Sequence, residues 1–139
     1  MKMNVIVVYN EDESKVLMCL RSKEPYMGLY NLVGGKIEQG ETGLEAAYRE
    51  LYEETNISKD DIKLVFISDF KYFMSDKELE VYVGKLNKDK KLVEEKHKLY
   101  WIEANDDFFD MSRYAGEGII GHIIEQVKIH RSKIFDNKN

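Results

Sequence analysis

The sequence predicts a single α/β (α+β) domain in which two helices pack on a mixed β-sheet. Three features predict it. Short β-rich runs separated by polar turns occupy most of the chain. One well-capped amphipathic segment interrupts them near the middle, and a second apolar-periodic segment closes the chain. No Ser/Pro linker, repeat or low-complexity stretch divides the 139 residues, and the only proline is Pro25.

The elements follow in order. Val5 to Tyr9 and Val16 to Leu20 are β-rich and flank the polar stretch Asn10 to Ser14, so they form a hairpin. Ser22 to Tyr30 reads as a loop broken by Pro25 and Gly28. Asn31 to Val33 is a strand stub ending at Gly34-Gly35. Thr42 and Glu45 then make a capping box that opens a helix over 43–55, with Leu44, Ala47, Leu51 and Thr55 as its buried stripe. Asn56 ends that helix, because Asn tolerates the left-handed conformation almost as well as Gly. Ile62 to Met74 and Leu79 to Leu86 form a second hairpin around the turn Ser75 to Glu78. Leu99 to Ile102 is a further strand. Gly118 to Arg131, with Ile119, Ile120, Ile123, Ile124 and Val127 at helical spacing, is the closing helix.

Composition removes several function classes. Twenty-six acidic residues against 21 basic ones leave a net charge of −5, which argues against bulk nucleic-acid binding. It leaves room for an anionic small molecule, since a bound divalent cation inverts the local field. A single cysteine, Cys19, excludes an internal disulfide and a cysteine zinc cluster. The apolar runs fall well short of the roughly 20 residues that span a bilayer, so no membrane partner is expected. The run after Met1-Lys2-Met3-Asn4 is too short for a secretory signal, which leaves a cytoplasmic protein as the expectation.

The chemistry concentrates on the first helix. Glu50, Glu53 and Glu54 are spaced i, i+3 and i+4 and share one helix face, where like charges repel. Arg49 offsets part of that repulsion, and a divalent cation would offset far more. Hard carboxylate oxygens converging on one point are what Mg²⁺ or Mn²⁺ takes. Such a helix face could also be merely solvated.

The residues around it decide between these. Gly35, five residues, Glu41, seven residues, then Arg49-Glu50-Leu51-Tyr52-Glu53-Glu54-Thr55-Asn56-Ile57 resembles the Nudix box of the MutT-type hydrolases. Eight of its nine fixed positions match over 23 residues; the exception is Asn56, where the box has glycine. A chance match of this quality at a given start is rarer than about one in a million.

The resemblance implies the Nudix-type α/β/α sandwich and a hydrolase of nucleoside diphosphates linked to another group. It implies Mg²⁺ or Mn²⁺ as cofactor, a nucleotide as partner, and room for a homodimer. Carried onto this sequence, Glu50 and Glu54 are metal ligands, Glu53 a third ligand or the base, and the Gly34 carbonyl a further ligand. Arg49 orients the glutamates, and Glu41 supports the loop or a water at the metal. The base can also come from a later loop, where Glu94 and Glu95 stand.

The approach to the box, Gly28 to Lys36, resembles members that hydrolyse oxidised purine nucleoside triphosphates. That makes Asn31 a base-reading residue, although tethering the strand edge is its plainer role. Glu117, after Tyr114, falls where those members place acidic residues. Arg21 and Lys36 flank the site in sequence and are expected on phosphates. Tyr30, Tyr72, Phe73 and Tyr82 are available to stack on a base. Tyr72, 16 residues past Asn56, keeps a dinucleoside polyphosphate hydrolase as an alternative, beside a sugar-nucleotide hydrolase. A non-catalytic regulatory module on the same fold is the alternative of another class. The Gly116 to Gly121 match to Gly-x-Gly-x-x-Gly has too little chain after it for a dinucleotide fold.

Overall fold

The computed structural model describes residues 1–71 and 76–136. Its elements are β1 Lys2–Tyr9, β2 Lys15–Leu20, β3 Tyr30–Asn31, β4 Val33–Lys36, α1 Gly43–Thr55, β5 Val65–Lys71, β6 Glu78–Lys85, β7 Leu99–Glu103, α2 Ile119–Ile129 and α3 Arg131–Phe135. The strands make one mixed sheet in the order β3-β2-β1-β6-β5, with β4 also paired to β1 and β7 to β2. The β1–β6 pair at its centre is parallel; the other pairs are antiparallel.

Alternation along β1 divides the core. Ile6 and Val8 face one side and pack with Leu17, Cys19, Val33 and Tyr82 against Ala47 and Leu51 of α1. Val7 and Tyr9 face the other and pack with Val16, Met18, Val81 and Val83 against Ile120, Ile123, Ile124 and Val127 of α2. The Val5–Val8 run is continuously apolar because β1 is covered on both faces. Fully burying a side chain such as Leu51 contributes about 1.5–3 kcal/mol, so the two-sided core carries the fold. Cys19 is buried and packs, with burial pushing its thiol up to about 11.

The first helix spans the expected residues. Thr42 Oγ1 accepts from the Glu45 amide (3.1 Å) and Glu45 Oε1 from the Thr42 amide (2.8 Å), which completes the capping box. Asn56 ends the helix at φ 69°, its amide donating to the Tyr52 carbonyl (2.9 Å). The stripe is shifted, however. Ala46, Ala47, Glu50, Leu51, Glu54 and Thr55 are buried, whereas Leu44 is 41% exposed. The sheet receives the face that carries two glutamates, and Leu44 in the first turn lies off that face.

Other boundaries differ for stated reasons. The stub expected at Asn31 to Val33 is two strands: β3 pairs with β2, and β4 continues through the glycines to Lys36 beside β1. Asn31 Oδ1 takes the Leu32 amide (2.9 Å) and interrupts the ladder between them. A Cβ at Gly34 would strike the Asn4 carbonyl, so only glycine lets β4 lie this close to β1. The expected strand Ile62 to Met74 is β5 alone, with Ile62 in an isolated bridge to Leu86 and residues 72–75 outside the described chain. The expected closing helix breaks at His130 into α2 and α3.

Candidate active site

The glutamates of α1 meet the sheet at Gly34-Gly35. A Cβ on Gly35 would stand 2.6 Å from the Glu50 carboxyl carbon and 2.7 Å from each of its oxygens, so the Glu50 carboxylate lies directly on that glycine. Glu54 Oε2 accepts from the Gly34 amide at 3.2 Å. The two carboxylates are one helical turn apart and only 8% and 7% exposed. Burial pushes Glu54 up to about 7, the Gly34 amide pulling it partly back and the Glu50 charge adding to the rise. Glu54 sits in the last turn of α1, where the helix dipole also disfavours negative charge.

Arg49 organises the remaining acids. Its Nε and Nη2 donate to Glu41 (3.0 and 2.7 Å) and its Nη1 to Glu50 (3.0 Å). Nη1 also reaches Glu53 at 3.4 Å, and Nη2 donates to the Lys36 carbonyl at 3.1 Å. Glu41, held low chiefly by Arg49, accepts in addition from the Glu38 amide (2.8 Å) and so closes the loop before the helix. The Arg49 guanidinium is held well above its ordinary value, first by Glu41. Glu53 is the outlier of the three ligands expected from sequence. It is half-exposed at the edge of the helix, between Arg49 and Lys96 (3.7 Å).

A later loop closes on the same helix end. The Val93 amide donates to the Thr55 carbonyl (3.1 Å). Glu94 and Glu95 part company there. Glu94 accepts from the Leu99 amide (2.8 Å) and braces the loop, while Glu95 lines a depression with Tyr52, Glu53, Asn56 and Lys96.

The donor set has two buried carboxylates, hard oxygen donors of the kind that suits a divalent cation, and Gly34 meets Glu54 through its amide. Glu54 is a buried carboxylate with one amide donor and a cost to its charge, which such an ion would offset. Among the described residues no three His, Cys, Asp or Glu side chains stand together as a metal cluster. The buried part of the set is the pair Glu50 and Glu54.

The residues expected on the substrate divide into two groups. Asn31 and Glu117, 86 positions apart in sequence, line one cleft of about 440 Å³ between the sheet and α2. Its walls include Met3, Leu32, Ile119 and Ile123, and both Glu117 oxygens accept from the Tyr26 hydroxyl at 2.7 Å. Arg21 and Lys36 do not line this cleft. Arg21 Nε donates to the Pro25 carbonyl (2.7 Å) and holds the loop that follows it, while the Lys36 side chain is exposed. Of the aromatics, Tyr30 packs on Tyr100 and Tyr114, and Tyr82 is buried with its hydroxyl on Glu80. Tyr72 and Phe73 lie outside the described residues. Tyr26, Lys96 and Asn4 were not singled out from sequence. Only Asn4 carried a signal, as a polar residue in the apolar alternation of β1.

The chain belongs to the NUDIX domain family, whose sequence profile matches residues 2–112. An ADP-ribose pyrophosphatase of Methanocaldococcus jannaschii is 43% identical over 47 residues, 34% of this chain and 28% of that protein. A dihydroneopterin triphosphate diphosphatase of Escherichia coli is 40% identical over 53 residues, 38% of this chain and 34% of that protein. These matches span about a third or less of the curated relatives' length. The fold is that of the E. coli dihydroneopterin triphosphate pyrophosphohydrolase structure, with a TM-score of 0.74 at 23% identity over 93% of this chain and 95% of the other. A Caenorhabditis elegans Ap4A hydrolase structure matches with a TM-score of 0.73 at 21% identity, over 95% of this chain and 99% of that one. No helix among the described residues is long and apolar enough to cross a membrane.

Proposed function

We propose that this chain hydrolyses a phosphoanhydride bond in a nucleoside diphosphate-containing substrate with Mg²⁺ or Mn²⁺, and that it converts a nucleoside triphosphate, standard or oxidised, to the monophosphate and pyrophosphate. The observation that carries the reading is the buried pair Glu50 and Glu54 on Gly34-Gly35. Both carboxylates are removed from water, and Glu54 is so in the last turn of the helix, where the dipole opposes its charge. A purely structural helix gains nothing from that placement.

When bound, the cation would neutralise the diphosphate and lower the pKa of water beside it. Glu50 and Glu54 would hold it, with the Gly34 carbonyl as a further donor. Arg49 keeps Glu50 and Glu53 at fixed separation and ties Glu41 to the loop. A water oxygen attacks phosphorus, the bridging P–O bond breaks, and the water's proton passes to a carboxylate. Glu53 or Glu95 receives it, because Glu94 is engaged by the Leu99 amide. The apolar cleft beyond Asn31 takes the base, with the Glu117 carboxylate as an acceptor for its N–H groups.

The test is a screen with Mg²⁺ and with Mn²⁺ over standard and oxidised nucleoside triphosphates, dihydroneopterin triphosphate, ADP-ribose and dinucleoside polyphosphates. Pyrophosphate release from triphosphates, abolished in Glu54→Gln, is the expected result. Turnover confined to ADP-ribose or dinucleoside polyphosphates would keep the hydrolase and replace the substrate. Tight nucleotide binding without turnover of any of them would make the chain a binding module.

A further inference from the structure

Asn4 is the one polar residue on the α1-facing side of β1 that is nearly fully buried, at 1% exposure. Its same-face neighbours along the strand, Ile6 and Val8, are core residues. An apolar residue at this position would leave no side-chain donor unpaired. Instead Asn4 Oδ1 accepts from the Gly35 amide at 3.1 Å, and Asn4 Nδ2 is buried with no partner among the described residues. The register puts Gly35 on one side of Asn4 and Glu80 on the other.

These contacts fall on the two residues that receive the carboxylate pair. The Asn4 backbone carbonyl lies under Gly34, whose amide Glu54 takes. The Asn4 side chain holds the amide of Gly35, on which the Glu50 carboxylate lies. One residue of β1 therefore sets the height and direction of both glycines beneath the acids. A buried amide left half-satisfied is costly and calls for a reason.

We infer that Asn4 is a positioning residue for the divalent-cation site, fixing Gly34-Gly35 so that Glu50 and Glu54 stay at ligating separation. The inference rests on the metal-dependent reading above. Supporting partners of this kind typically change metal affinity by about 10–100-fold.

Asn4→Leu removes the side-chain acceptor and the orphaned donor while keeping the volume apolar. Mn²⁺ binding by isothermal titration calorimetry, without nucleotide, is expected to weaken about tenfold or more in this variant, with a cooperative melting transition that shows the fold intact. Mn²⁺ affinity within about twofold of the parent would overturn the inference, because the lower bound expected of such partners is about tenfold. Asn4→Ser, too short to hold the Gly35 amide, carries the same two outcomes if the leucine variant does not fold. The parent and Glu54→Gln, titrated alongside, separate the two claims. If the parent itself binds no Mn²⁺, the metal-dependent reading fails. If the parent binds and Asn4→Leu binds equally well, only the role of Asn4 fails.

Discussion

Glu54 and Gly34 are joined by a 3.2 Å hydrogen bond between the helix carboxylate and the strand amide, which with the Lys96 charge compensates part of the cost of burying a residue only 7% exposed. Burial pushes the carboxyl up from 4.5 to about 7, and the Gly34 amide offsets only part of that rise.

The metal-free protein should therefore lose stability as pH rises. Below about pH 4.5 the folded and unfolded chains both hold the Glu54 proton, and nothing is lost. Between 4.5 and about 7 the unfolded chain ionises first and the fold is progressively penalised. Above about 7 the penalty is complete, at most about 3 kcal/mol. Glu54→Gln in the presence of a chelator should melt with the parent at pH 4 and above it at pH 8. Coincident melting curves at both pH values would contradict the assignment.

Glu53→Gln is expected to behave differently. Glu53 is half-exposed and its ion pairs with Arg49 and Lys96 are long, so its loss should change stability by less than about 1 kcal/mol. If Glu53 is a ligand or the base, turnover should nevertheless fall by about a hundred-fold, or about 2.7 kcal/mol of barrier. Single-turnover kinetics beside a urea melt would read the two effects separately.

Gly35→Ala places a methyl group on the Glu50 carboxylate. Glu50 has to leave its position, so cation binding and activity should drop together, with a packing cost of about 1–3 kcal/mol. Retained Mn²⁺ affinity in a folded Gly35→Ala protein would show that Glu50 does not ligate from this position.

Asn56→Gly restores the residue that the box carries. Asn56 is already left-handed at φ 69°, so the change should leave stability within about 1 kcal/mol, with any shift upward. A fall in melting temperature well beyond that range would give the Asn56 side chain a role that its backbone does not show.

The first helix was legible because its signals are local. A capping box, a 3.6-residue period and a left-handed terminator all act within one segment. The motif likewise lies within 23 consecutive residues. Leu44 was misread because the apolar period alone cannot say that two glutamates occupy the buried face. Sequence proximity put Arg21 and Lys36 on phosphates; in the fold Arg21 Nε braces the Pro25 carbonyl, and Lys36 is exposed beside the glycine on which Glu50 lies.

By itself the sequence determined the α/β class, the helix over 43–55 and the family, since each follows from residue types at fixed spacing. Only the tertiary structure decided which carboxylates are buried. Helical spacing gives Glu50, Glu53 and Glu54 a common face, but the close approach of β4 to β1 admits two of them and leaves Glu53 at the edge. Only the tertiary structure brought Asn31 to Glu117, and Asn4 under Gly34-Gly35. Strand register and packing between distant segments set those contacts, and no local pattern of residues encodes them.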